Sequence, residues 1–407
     1  MNAPVDTALG VEAAITALGP GPLTADGIAT HIAPLFSRVL ARKEIYLANH
    51  SLGRPLDATA SDVAEAVALW QTRLGDAWDA WSAELLAYRT RLARLLGAPR
   101  YDCVVPRTSA GQGLRAILNS YDSVPRVVAT RGEFDSIDVI LRHYARRGRI
   151  KLTLVEPRAS GLFAAEDLFA AIRAGADLAV LSQVMFNSGQ VVPELSALTR
   201  AAHNASARVL LDVYHSLGVL PVDVAALDVD FAIGGSYKYL RGGPGACYLY
   251  LHPRHLNGSL STLDVGWFAK TEPFSYERPD PIEWAQGGDA WMESTPPVLT
   301  WYQSRAGQIF TLAMGVDRLR EYSLELQHRL VTLLAERGIE STGAALDRGA
   351  FVVVTLDSPV AARRLAESLR ARGVITDARG VWLRMCPDLL TTPAELERAA
   401  DATAAVA

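Results

Sequence analysis

Cysteine is scarce in this 407-residue chain, and Cys103, Cys247 and Cys386 show no Cys-x-x-Cys spacing. A disulfide framework and a zinc ribbon are therefore excluded, and buried structural thiols are the expectation. No apolar run approaches the ~20 residues that a membrane span requires. The first residues carry Asp6 and Glu12 and no Lys/Arg-led apolar stretch, so a cytoplasmic protein is expected. The formal net charge is −4 and neither sign forms a long block, which recommends neither nucleic acid nor an anionic membrane as partner. A Walker A sequence, a Gly-x-Gly-x-x-Gly after a strand and a Gly-x-Ser-x-Gly elbow are all missing, removing three common enzyme classes. His252 and His255 flank Pro253-Arg254 at a spacing that suits no common zinc site, so no metal is expected.

What remains is a chain that is 50% hydrophobic and 21% charged, long enough for two sizeable cores. Residues 1–57 read as an N-terminal arm with one helical stretch near 28–42. Residues 60–97 place Val63, Val67, Trp70, Leu74, Trp78, Trp81, Leu85 and Leu92 at helical spacing, so those tryptophans read as packing. Strand and helix patterns then alternate, with strands at 103–105, 127–129, 152–155, 178–181, 209–211 and 231–233 and a further one at 246–251. Short strands apolar on both sides and separated by helices imply an α/β fold with a mostly parallel, doubly covered sheet. After Pro296-Pro297 a long helical segment, strands at 351–356 and 381–385 and an Ala-rich terminal helix read as a small C-terminal α/β domain. The division expected is 1–57, 58–300 and 301–407.

Lys238 carries the chemistry. It sits in Gly234-Gly235-Ser236-Tyr237-Lys238-Tyr239-Leu240, followed by Gly242-Gly243-Pro244-Gly245, on a constrained turn between strands. Upstream, Val209-Leu210-Leu211-Asp212 ends a strand in an acid. A lysine to take a cofactor aldehyde and a carboxylate to keep a ring nitrogen protonated are what pyridoxal 5'-phosphate requires. Thr108-Ser109-Ala110-Gly111-Gln112-Gly113 follows a strand and opens a helix, where backbone N–H groups, hydroxyls and the helix dipole would cradle a phosphate. By itself it could equally be an ordinary helix cap.

Ser236-Tyr237-Lys238-Tyr239-Leu240 with its Gly-Gly-Pro-Gly tail resembles the lysine motif of the kynureninase family within the class V aminotransferases. Asp212-Val213-Tyr214-His215 is similar to the family's Asp-x-x-His, and Val265-Gly266-Trp267-Phe268 to its Gly-Trp-aromatic segment. The resemblance runs from about Ile45 to Pro387. It implies the fold type I architecture of pyridoxal-phosphate enzymes, a large domain plus a small C-terminal one. It also implies Phe134 as the ring-stacking aromatic, Ser182 and His215 near the cofactor, Tyr237 as phosphate ligand and proton relay, and Arg384 of Arg384-Met385-Cys386-Pro387 as holder of a substrate α-carboxylate. Glu293-Ser294-Thr295-Pro296-Pro297 resembles the segment whose Thr reaches the phosphate of the neighbouring subunit, and Trp267 is similarly placed. A homodimer with shared active sites follows from those two.

The implied reaction is hydrolysis of the Cβ–Cγ bond of kynurenine or a related β-acyl alanine, a step of amino-acid metabolism. Two departures bear on the substrate. Asn49-His50-Ser51-Leu52-Gly53 stands where the family has Gly-Asn-Ser-Leu-Gly, putting His50 in the Asn position beside Ser51, and Gly75-Asp76 stands for a Gly-His. The alternatives are another class V enzyme on an α-amino acid, such as an aminotransferase or carbon–sulfur lyase, or a non-catalytic cofactor-binding regulator. A desulfurase would need a mobile nucleophilic Cys in a Ser/Gly-rich loop, and none is there.

Overall fold

The computed structural model describes residues 7–406; Asp6, with the rest of 1–6, and Ala407 lie outside it. Among the described residues three sheets organise the chain, of seven, three and two strands. The largest has β2 (Val104–Arg107), β3 (Arg126–Thr130), β4 (Lys151–Val155), β5 (Leu178–Ser182), β6 (Arg208–Asp212), β7 (Phe231–Gly235) and β8 (Cys247–Leu251), in the order β2-β8-β7-β6-β5-β3-β4. Every residue of β5, β7 and β8 is buried, which is why these strands read as unbroken apolar runs instead of alternating. All neighbours are parallel except β8, antiparallel to both β7 and β2. The reason lies in the connection: residues 236–246 hold the lysine turn and the Gly-Gly-Pro-Gly loop but no helix, and a parallel return needs a longer crossover.

The three-stranded sheet orders β11 (Asp377–Arg379), β12 (Trp382–Met385) and β9 (Val352–Thr355) antiparallel. Beside it β1 (Ile45–Tyr46) pairs in parallel with β10 (Val374–Ile375). Burial follows that pairing: Val11, Ile32, Phe36 and Leu47 share one hydrophobic cluster with Phe310, Leu330, Val352 and Leu396. The N-terminal segment is thus packed into the C-terminal body.

Several helices differ from the sequence reading. A helix at Thr7–Leu18 is added, and the stretch expected near 28–42 breaks into short pieces around Pro34, which lacks an N–H. The pattern over 60–97 becomes two helices, Ala58–Arg73 and Ala77–Leu96, parted at Leu74 with φ +48°. Trp70, expected in packing, is 57% exposed. Beyond Pro297 the helical segment divides into Val298–Met314 and Val316–Ala335 at Gly315, whose φ of +85° favours glycine.

Candidate active site

Six strands of the large sheet end at one edge, and residues at or just past the ends of five of them form the site. Parallel strands place their carboxyl ends together, where ligands of open α/β sheets bind. Thr108 and Ser109 follow β2, Glu133 and Phe134 follow β3, Ser182 ends β5, Asp212 ends β6, and Tyr237 and Lys238 follow β7.

Lys238 is buried, and its Nζ stands 2.5 Å from His215 Nε2. Three rings cage the amine, with Nζ 5.3 Å from the Phe134 centroid, 5.1 Å from Tyr214 and 5.7 Å from Tyr237. Burial drives the lysine well below its ordinary value; the Asp212 carboxylate opposes that shift, and Arg384 adds to it. Burial likewise raises Asp212, against the Tyr214 backbone N–H, which donates to Oδ1 at 2.8 Å, and against the lysine charge. His215 is pushed far down by burial and then by Lys238, so it is a neutral acceptor for the amine, and its Nδ1 is buried without a partner. The lysine turn is pinned from the N-terminal side: Gly53 N–H donates to the Tyr237 carbonyl at 2.8 Å, and a Cβ at Gly53 would collide with the Lys238 carbonyl oxygen.

Glu133 was not anticipated. It is buried next to Phe134, accepts from Ser182 Oγ at 2.5 Å and from Thr130 Oγ1 at 2.7 Å, and is pushed up to about 7 by burial, with the Asp212 charge adding to the rise. Ser182 therefore binds a carboxyl of its own chain. The only sequence signal for Glu133 was its place beside a ring expected to stack.

Arg384 has partners from its own chain too. Nη2 donates to Asp377 Oδ2 at 2.8 Å and Nη1 to the Phe186 carbonyl, while Nε is buried without an acceptor. Asp377 also escaped the sequence reading, although it stands directly across the ladder from Arg384. Ser51 donates to Asp377 at 2.6 Å, and His50, wholly buried with both ring nitrogens unpartnered, lies 3.7 Å from it and 5.1 Å from the Phe351 ring. Burial, then the Arg384 charge, lowers His50 to about 3, so it is neutral.

Thr108 and Ser109 are exposed at the start of the nine-residue helix Ala110–Leu118. The Thr108 backbone N–H and hydroxyl both donate to the Gln112 side-chain oxygen, at 2.7 and 3.1 Å, and Ser109 caps the helix through Gln112 N. A neutral oxygen thus occupies donors that suit a phosphate oxygen. Gly113 is required there, because a Cβ would meet Ile233 at 2.7 Å. Taken with the caged amine and the buried Asp212, this donor set fits pyridoxal 5'-phosphate.

Two expected residues, Trp267 and Thr295, pair with each other. Trp267 Nε1 donates to Thr295 Oγ1 at 3.2 Å, and Trp267 packs in a surface cluster with Phe268, Phe274, Tyr276 and Trp78. Gly75 and Asp76 form an exposed turn. Among the described residues no His/Cys/Asp/Glu group could hold a metal, and no helix is long and apolar enough to cross a membrane.

Residues 75–382 match the family model described as aminotransferase class-V. The kynureninase of Bacillus cereus is 27% identical over 359 residues, 82% of this chain and 81% of its own length. That of Shouchella clausii is 25% identical over 368 residues, covering 84% and 83%. Among solved structures, the cystine C–S lyase C-DES in complex with cysteine persulfide has a TM-score of 0.80 at 20% identity, over 91% of this chain and 99% of that one. The cysteine desulfurase CsdA of Escherichia coli has a TM-score of 0.78 at 18% identity, over 95% and 99%. At such identities these structures speak for the fold, the type I architecture of pyridoxal-phosphate enzymes.

Proposed function

The chain belongs to the aminotransferase class-V family, and on that premise we propose that it is a pyridoxal 5'-phosphate enzyme of the kynureninase type, hydrolysing the Cβ–Cγ bond of kynurenine or a related β-acyl alanine. The observation that carries this reading is the buried Lys238 amine, caged by Phe134, Tyr214 and Tyr237 and held toward its neutral form next to Asp212. The relatives named kynureninase, matched over four fifths of the chain, support the choice of reaction.

Bound in this site, the cofactor supplies an electron sink for the charge left on the substrate Cα. Thr108, Ser109 and the helix N-terminus would hold its phosphate, Phe134 would be the aromatic partner of its ring, and Asp212 would keep a proton at the ring nitrogen. Lys238, as a neutral amine, takes the Cα proton; an amine depressed toward neutral pH is a competent general base. Burial pushes Tyr237 up to about 12, so its phenol keeps a proton at neutral pH and can donate it. Arg384 binds the α-carboxylate, with Ser51 and His50 behind it. Water adds to the γ-carbonyl carbon, the Cβ–Cγ bond breaks, Cβ gains a proton, and the products are a carboxylic acid and alanine.

An aminotransferase or carbon–sulfur lyase would use the same lysine, aspartate and arginine and differ in products. A cysteine desulfurase lacks its nucleophile here. Cys103, Cys247 and Cys386 are all buried, and burial raises them to about 11, 11 and 12, far from thiolate. The protein works as a homodimer in this reading, with Trp267 and Thr295 serving the site of a second copy; Phe274 and Tyr276 beside them are 43% and 69% exposed. The test is to incubate the holoenzyme with kynurenine, 3-hydroxykynurenine and a panel of amino acids and identify products by mass. Alanine plus an aromatic acid is the expected result; an oxo-acid or a sulfur product would refute the hydrolase.

A further inference from the structure

Arg384 is only 2% exposed, and a guanidinium at that depth needs a counter-charge, because removing one member of a buried pair strands the other. Asp377 provides it, and Asp377 is itself held on several sides. Its Oδ2 takes the Ser51 hydroxyl at 2.6 Å and Arg384 Nη2 at 2.8 Å, and its Oδ1 lies 2.8 Å from Arg379 Nη1. His50 Nε2 stands 3.7 Å away, an electrostatic contact too long for a hydrogen bond. Burial opposes ionisation of Asp377, but its polar neighbours, chiefly the Arg384 charge and the Ser51 hydroxyl, outweigh it and hold the group far below the usual carboxylate range. One carboxylate therefore joins two separate pieces of chain, the loop 49–52 and the hairpin 377–384.

We propose that Asp377 is a positioning residue for carboxylate recognition: it fixes the Arg384 guanidinium through Nη2, ties the 49–52 loop to it, and leaves Nε–H as the donor for the α-carboxylate of an amino-acid ligand. This rests on the reading of Arg384 as the carboxylate anchor. Two roles for Asp377 carry opposite signs. As a resident counter-ion that the ligand must evict, its removal would tighten carboxylate binding; as a positioning group, its removal would loosen it. The geometry points to positioning. The vacant, buried donor is on a nitrogen that Asp377 does not use, and Ser51 and Arg379 keep the carboxylate in place when a ligand joins.

The test measures dissociation constants by calorimetry on the holoenzyme, with L-alanine as the probe and ethylamine as the same probe without its carboxylate. Asp377→Asn keeps the size and one acceptor but turns an N–H₂ toward donors. It is expected to weaken L-alanine by about 10-fold or more, the scale of a charge-assisted bond, while ethylamine is unchanged. Ser51→Ala removes one hydroxyl bond to the Asp377 carboxylate and is expected to weaken L-alanine alone by roughly 5-fold, so it carries the test if Asp377→Asn does not fold. Unchanged or tighter L-alanine binding, or equal losses for both probes, would overturn the proposal. Arg384→Lys separates the two levels of the argument. If it leaves L-alanine binding intact, the carboxylate anchor fails and Asp377 with it; if it weakens L-alanine and Asp377→Asn does not, only the role of Asp377 fails.

Discussion

Glu133 sets a pH dependence that one substitution should erase. Its folded-state value is raised from 4.5 to about 7 by burial, aided by the Asp212 charge and opposed by the Ser182 and Thr130 hydroxyls. A carboxyl with a raised folded value binds its proton more tightly in the native state. The stability it permits is therefore complete below the unfolded value near 4.5, is lost as pH rises from there to about 7, and stays level above. At about 1.4 kcal/mol per tenfold change in proton affinity, the loss amounts to about 3 kcal/mol. Glu133→Gln keeps the shape and one oxygen for Ser182 or Thr130 but cannot ionise. The variant should thus gain on the wild type by up to about 3 kcal/mol between pH 5 and pH 8, with titrating groups other than the neighbouring Asp212 cancelling in the difference. Urea unfolding of the apoprotein at pH 5, 6, 7 and 8, followed by circular dichroism, reads this directly. A constant offset between the two proteins across that range would show that Glu133 does not titrate there and would refute the account of its burial.

Four other outcomes follow from the geometry. Borohydride reduction of the holoenzyme and peptide mapping should find the cofactor mass on Lys238, and a label on any other residue would undo the cofactor assignment. Asp212→Ala should retain cofactor yet lower kcat by roughly 10²-fold or more, as for a group acting mainly in the transition state; near-normal turnover would hand its role to another carboxyl. Gly53→Ala drives a methyl into the Lys238 carbonyl, so it should cost about 1–3 kcal/mol and perturb the visible spectrum of the bound cofactor, and an unchanged spectrum would contradict the close approach. Arg305 bonds Glu65 at 2.6 Å and Glu84 at 2.8 Å in a partly buried network joining Val298–Met314 to the helices Ala58–Arg73 and Ala77–Leu96, and Arg305→Ala should destabilise by about 3 kcal/mol in chemical unfolding.

The alternation of strands and helices was legible along the chain, because strands buried on both faces must be apolar throughout and helices over them must repeat near 3.6 residues. The sequence also marked Asp212, Lys238 and Thr108-Ser109, since each lies at a strand end or helix start and carries its chemistry within a short contiguous motif. The antiparallel turn of β8 was already implicit in the missing crossover after Lys238. Contacts between distant positions arise only in the folded chain: Glu133 with Ser182 across 49 residues, Ser51 with Asp377 across 326, and the packing of residues 11–56 into the C-terminal core. Such pairs leave no periodicity in the chain. Whether a buried arginine faces a ligand or an aspartate of its own chain depends on which strand lies across from it, and the β11–β12 register, pairing Asp377 with Arg384, is set by the folded sheet.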